Sequence, residues 1–214
     1  MGLLINEIFF SIQGESTYAG RPCAFVRLSG CNLQCAYCDT EYARYHGVEM
    51  EMEDILEKVG SYDCRIVEIT GGEPLLQNQT PLLVKHLLSG GFTVLMETNG
   101  SIDIGMVDSG CIRIVDIKCP ASGQNQYMDM ENVRRMDAKD ELKFVLSDRG
   151  DYEYAKGVVE TARKGTFHSP VLFSPVAGKL DARVLASWIL ADRLDVRLQL
   201  QLHKILWPEI ARGV

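Results

Sequence analysis

The sequence predicts an α/β fold built on parallel strands, and three observations carry the prediction. Short runs rich in Val, Ile, Leu and Phe alternate with longer stretches whose apolar residues recur at helical spacing. The strand-like runs end in glycines or charged residues, where a parallel β/α frame gathers its chemistry. The chain has 214 residues, 46% of them hydrophobic, enough to bury a sizeable core. Alternating strands and helices imply parallel pairing through right-handed crossovers. A doubly wound sheet or a barrel satisfies that pattern equally.

Taken in order, strands are expected at Ala24 to Leu28, Arg65 to Thr70, Phe92 to Glu97, Ile112 to Lys118, Glu141 to Leu146, Val171 to Ser174 and Val196 to Leu202. A helix opens at Thr80-Pro81, read as an N-cap and a first-turn proline; Leu83 and Leu87 share its face, and Gly90-Gly91 stops it. Asp151 to Lys164 stacks Tyr152, Ala155, Val159 and Ala162 on one side, and Asp181 to Arg193 does so with Leu185, Trp188 and Ile189. No fixed-period repeat, low-complexity tract or Pro/Gly/Ser linker interrupts this order, so residues 1–214 are expected to form a single domain. No apolar run approaches the roughly 20 residues of a membrane span. A net charge of -7, from 22 Lys+Arg against 29 Asp+Glu, supplies no basic field for a polyanion. A small-molecule substrate is expected, with neither nucleic acid nor membrane as partner.

The chemistry concentrates in Gly30-Cys31-Asn32-Leu33-Gln34-Cys35-Ala36-Tyr37-Cys38-Asp39-Thr40. Cys31, Cys35 and Cys38 can converge on one 4Fe-4S cluster, and three protein thiolates leave one iron open to a small molecule that is to be reduced. Tyr37 adds an aromatic face able to pack on a planar ring. A structural zinc site would need a fourth ligand, and His46 and Cys23 offer no second paired cluster. The seven cysteines are odd in number and Met1 to Glu7 carries no secretory pattern, so a reducing, cytoplasmic setting is expected rather than a disulfide framework. Cys23, Cys64 and Cys111 read as small packed residues. Cys119, beside Lys118, is left without a role, as are Glu141, Lys143 and the residues after Pro208.

Other strand ends are polar too. Thr70-Gly71-Gly72-Glu73-Pro74 lets backbone approach a ligand closely, or makes only a tight turn. Glu97-Thr98-Asn99-Gly100-Ser101 offers a carboxylate and an amide to ribose hydroxyls, though a capping turn uses the same residues. Asp116 with Lys118, and Glu141 with Lys143, share strand faces, so they form inter-strand salt bridges or a polar cavity.

The cysteine spacing followed by Gly71-Gly72-Glu73-Pro74 resembles the radical S-adenosylmethionine (radical-SAM) enzymes. Glu7 to Ser16, Gly20-Arg21-Pro22, Phe25 to Leu33, Cys38-Asp39-Thr40, Asp116 to Pro120, Glu141 to Val145 and Gln201 to Lys204 narrow the resemblance to the 7-carboxy-7-deazaguanine synthase family. Ser16 stands where glycine is common in that family, and the cysteine loop is its short form. The resemblance implies a partial, open β/α barrel of about six parallel strands, a modified radical-SAM core with fewer outer helices than usual. It implies conversion of 6-carboxy-5,6,7,8-tetrahydropterin to 7-carboxy-7-deazaguanine with loss of ammonia, on the route to queuosine and other 7-deazapurines. The implied cofactors are the cluster, SAM and Mg2+. The cluster, reduced by an external donor of flavodoxin or ferredoxin type, would split SAM into methionine and a 5'-deoxyadenosyl radical that takes hydrogen from the pterin.

By the same resemblance Ile12, Gln13, Gly14, Glu15, Arg27, Thr70, His203, Lys204 and Pro208 contact substrate, His203 and Lys204 from the end of the final strand. Tyr37, Cys38, Asp39, Gly72, Glu73, Glu97, Asn99, Lys118, Ser174, Pro175, Val176 and Ala177 contact SAM, and Thr40 ligates Mg2+. A homodimer is expected. Two alternatives stay open: an activase that makes a glycyl radical on a protein partner, and a metal-stabilised RNA-binding module, which the acidic balance opposes.

Overall fold

A nine-stranded sheet in the order β3-β1-β2-β4-β5-β6-β7-β8-β9 carries the chain, seen in a computed structural model that describes residues 2–165, 167–210 and 212–214. The strands are β1 (Leu3–Ile12), β2 (Pro22–Leu28), β3 (Val48–Met50), β4 (Ile66–Gly71), β5 (Thr93–Thr98), β6 (Ile112–Asp116), β7 (Glu141–Leu146), β8 (Val171–Pro175) and β9 (Arg197–Leu198). From β2 through β4 to β9 every pairing is parallel, whereas β1 runs antiparallel to both β2 and β3. β3 and β9 are the ends of the sheet and do not pair, so the barrel stays open.

Helices α1 (Met52–Gly60), α2 (Thr80–Ser89), α4 (Arg149–Arg163) and α5 (Ala182–Asp192) cover the outer face. The crossover from β5 to β6 has only a short 3-10 turn, and that from β6 to β7 only 3-10 turns and the four-residue α3 (Asn132–Arg135). Fewer outer helices than usual follow from these short connections. Val26, Ile69, Met96, Val115, Leu142 and Phe173 point outward into the main core, which Ile55, Leu83, Tyr152 and Leu185 complete from the helices.

Several boundaries move. Thr80 is not the cap of α2 but its first residue; its hydroxyl donates to the Pro74 carbonyl at 2.6 Å, while Gln79 takes the cap position. α4 starts at Arg149 rather than Asp151, because the Asp148 carboxylate accepts from Asp151 N–H and caps the helix two residues earlier. The final strand, expected over Val196 to Leu202, shrinks to Arg197 and Leu198. Leu202 N–H donates to the Gly14 carbonyl at 2.9 Å, which draws the chain off the sheet edge into the short helix α6 (Leu202–Leu206). His203 and Lys204 therefore sit on a helix and not at a strand end. The sequence pattern also passed over β1, β3 and α1.

On the outer face Arg113 is 4% exposed and Asp140 fully buried; Asp140 accepts from Arg113 N at 2.9 Å, Nε at 3.0 Å and Nη2 at 2.5 Å, tying β6 to the segment that enters β7. Removing one partner strands a buried charge, so Asp140→Ala is expected to cost about 3–5 kcal/mol in urea unfolding.

Candidate active site

Period-two alternation sorts the inner face of the sheet into an apolar floor and a polar mouth. Cys23, Phe25, Ile66, Leu95, Ile112 and Ile114 form a small inner core, with Phe9 and Tyr18 packed against it. Farther along the same strands Arg27, Glu68, Thr70, Glu97, Asp116 and Lys143 line one cavity. Arg27 sits opposite Thr70, and Asp116 opposite Lys143, so register alone places these groups side by side. Strand ends and loops close the cavity: Ile12 at the end of β1 and Gln13, Gly14 and Glu15 after it, the cysteine loop after β2, Gly72 after β4, Asn99 after β5, Lys118 after β6, Val176 and Ala177 after β8, and Gln201, His203 and Lys204 near the chain's end.

All three motif cysteines line this cavity and are partly exposed, whereas Cys23, Cys111 and Cys119 are buried. Burial pushes the Cys23 and Cys119 thiols upward and that of Cys111 to about 12, the behaviour of inert packed cysteines. The Cys31 sulfur accepts from Leu33 N–H at 3.5 Å and lies 3.9 Å from Asn99 Nδ2. Gly72 permits the approach of β4's end to the cysteine loop: a Cβ there would stand 2.1 Å from the Gly30 carbonyl oxygen and 2.8 Å from Cys31 Cβ. Gly30 itself takes φ +98, a left-handed conformation that glycine adopts freely.

Charge is dense on the polar side. Lys143, 3% exposed, places its ammonium 2.5 Å from Glu15 and 2.7 Å from Glu97. Burial disfavours the charge on both Lys143 and Glu15, yet their attraction wins: Glu15 is held below the ordinary carboxylate range and Lys143 well above the ordinary ammonium range. Burial pushes Glu97 up despite Lys143, and burial with repulsion from Glu97 pushes Glu68 well up. Glu68 accepts from the side-chain amide of Gln13, whose own oxygen accepts from Glu15 N–H at 2.8 Å. Asp39, raised by burial but outweighed by Lys204 at 2.6 Å, falls to about 2. Burial lowers His203. Arg27 holds Glu7 through Nε at 2.8 Å, and Tyr42 donates to the same oxygen at 3.0 Å. Asp116 pairs with Lys118 at 2.6 Å, and its other oxygen is buried without a partner.

Set against known proteins, residues 25–114 match the radical SAM superfamily. The chain is 45% identical to the 7-carboxy-7-deazaguanine synthase of Chlorobaculum tepidum, covering 99% of this chain and 97% of that one. It is 42% identical to that of Koribacter versatilis, over 98% and 99% of the two chains. The chain belongs to the 7-carboxy-7-deazaguanine synthase family. The crystal structure of QueE from Escherichia coli shares the fold, with a TM-score of 0.78, 24% identity and 94% of each chain covered. The activase alternative is not favoured.

For a 7-carboxy-7-deazaguanine synthase, the fold gathers nearly all the residues expected from sequence around one cavity. Glu73, Ser174, Pro175 and Pro208 do not line it. Glu73 is fully buried and spends its carboxylate inside the protein, accepting from Leu75 N–H at 2.9 Å, Thr98 Oγ1 at 2.9 Å and Asn99 N–H at 2.7 Å. It braces the Asn99 turn against the glycine loop. The sequence reading missed Arg44, Glu68, Thr98, Gln201 and Val214 as cavity residues and left Lys143 without a role. Alternation over Val67-Glu68-Ile69-Thr70 was a signal for Glu68, which shares Thr70's face. Three partly exposed thiols facing one cavity, with N–H groups beside the Cys31 sulfur, fit the three-thiolate cluster that the family carries. Gly72→Ala is expected to push the Gly30-Cys31 segment away from the end of β4 and lower bound iron and sulfide by at least about half in anaerobically purified protein. Gly157→Ala, at a helical position with open space around it, is expected to leave both unchanged.

Proposed function

We propose that the chain converts 6-carboxy-5,6,7,8-tetrahydropterin to 7-carboxy-7-deazaguanine with release of ammonia, all residues acting as one domain. The observation that carries this reading is the meeting, in one cavity, of three motif thiols with a dense set of buried charged and amide groups suited to a polar bicyclic ring. Cys31, Cys35 and Cys38 would hold the 4Fe-4S cluster. With one electron from a flavodoxin- or ferredoxin-type donor, the cluster and SAM would supply the radical chemistry that takes hydrogen from the substrate.

The remaining roles belong to the chain's own side chains. Gly72 presents backbone to the methionine part of SAM, and Asn99 and Glu97 address its ribose. The half-buried Tyr37 packs beside the adenine, its hydroxyl anchored on the Val145 carbonyl at 3.1 Å. Val176 and Ala177 line the cavity and meet the adenine through backbone. Asp116 offers an unpaired carboxylate oxygen to a ligand N–H or O–H. Ser174 and Pro175 act from behind this wall.

Arg27, oriented by Glu7, faces the substrate carboxylate. Gln13, fixed between Glu68 and Glu15 N–H, and Glu15, fixed by Lys143 and by Gln201 at 3.0 Å, read the donor edge of the pterin. Ile12, Gly14, Thr70, His203 and Lys204 complete the enclosure, and the segment that carries Pro208 returns to it at Val214. Thr40 would give one oxygen to Mg2+, a hard cation that prefers oxygen ligands. No helix among the described residues is long and apolar enough to cross a membrane. We place the enzyme in the cytoplasm, as a homodimer.

Incubation of anaerobic, cluster-loaded protein with SAM, reductant and carboxytetrahydropterin is expected to yield the deazaguanine. Cys35→Ala is expected to abolish SAM cleavage, whereas Arg27→Ala is expected to impair product formation by at least about tenfold and leave reductive SAM cleavage detectable. SAM cleavage without deazaguanine in the unaltered protein would refute the proposal.

A further inference from the structure

Arg44 ends the one-turn helix Glu41–Arg44 that follows the cysteine loop. Its side chain is 11% exposed and lines the same cavity as Cys38, with which it interacts electrostatically. Nε is buried without a partner. The nearest carboxylate, Glu41, stands 3.8 Å away with its own side chain 69% exposed, so it offsets little of the charge. The contrast with Lys118 is informative. That cation acts on Cys35, but Asp116 neutralises it at 2.6 Å. Among the described residues, the other cavity-lining cations Arg27, Lys118, Lys143 and Lys204 each lie within 2.8 Å of a carboxylate, whereas Arg44 is left largely uncompensated.

Burying a guanidinium without a close counter-ion is costly unless negative charge arrives to meet it. A 4Fe-4S cube on three thiolates is such a charge: one electron enters on reduction, no bond forms or breaks, and the net negative charge grows by one. A cation close to the ligand sulfurs stabilises the reduced form more than the oxidised form. We propose that Arg44 is a positioning residue that raises the reduction potential of the cluster through Cys38, easing electron entry from the donor. This inference rests on the cluster assigned above. It adds a function for a residue in the loop between Thr40 and β3, away from the pterin-facing groups.

The test is a potentiometric titration of the cluster, followed by electron paramagnetic resonance, on the full cluster-loaded chain without SAM or substrate. Arg44→Met is expected to hold iron and sulfide at the unaltered level and to shift the reduction equilibrium at least about tenfold toward the oxidised form, about 59 mV for a one-electron couple. Arg44→Gln, which keeps an N–H donor but no charge, is expected to shift the same way and less far. A potential unmoved in a loaded variant would overturn the inference. So would loss of the cluster from both variants, because Arg44 would then hold the cluster instead of tuning it. If only Arg44→Met loses the cluster, Arg44→Gln decides by the same criterion. Failure of the unaltered chain to take up a 4Fe-4S cluster would instead refute the proposed function, and the two failures are thereby distinct.

Discussion

A single buried ammonium organises the cavity. Lys143 rises from β7 and meets Glu15 from the loop after β1 and Glu97 from β5, so one charge joins the two sides of an open barrel. Without it Glu15, Glu68 and Glu97 would face each other across a space of low dielectric, where like charges repel strongly. Part of that conflict remains, since burial and repulsion from neighbouring carboxylates keep Glu68 and Glu97 above the usual carboxylate range. Glu68, pushed well up by burial, accepts from the Gln13 amide. The result is a set of polar groups held by one another before any ligand enters, which lowers the ordering cost of binding.

The two ends of the cavity use different physics. Toward Lys143 the recognition groups are desolvated and locked in ion pairs. Toward the cysteines the loop is partly exposed, Gly30 and Gly72 let backbone segments touch, and Glu73 fixes the Asn99 turn from within. Rigid support below and an open thiol face above suit a site that keeps a reactive centre beside a precisely held ring. The parallel strands make both ends possible, since their register carries the side chains of β2 and β4 to β7 to the same height.

Much of this was legible in the sequence. The strands from β4 to β8 announce themselves by β-branched and apolar runs, and the cysteine spacing with Gly71-Gly72-Glu73-Pro74 marks the chemistry. β1 escaped because it mixes Asn6, Glu7 and Ser11 with apolar residues near one side of the sheet, where neither strict alternation nor a continuous apolar run is required. The last strand was overdrawn because Val196 to Leu202 is apolar enough for a strand, while the hydrogen bond that ends it is donated by Leu202 N–H to the Gly14 carbonyl, far away in the chain. Glu73 shows the limit of motif reading: the sequence places a carboxylate beside the SAM loop but not the direction in which it points. Arg44 left no periodic signal, since a one-turn helix in a loop has no pattern to read.

If Lys143 sets the shape of the ring-reading end, its neutral replacement must weaken ligand binding while sparing the cluster. Calorimetric titration of carboxytetrahydropterin into anaerobic, cluster-loaded protein without reductant measures this directly. The account predicts that Lys143→Met binds at least about tenfold more weakly at unchanged iron content, about 1.4 kcal/mol. Equal affinity in the two proteins would contradict it.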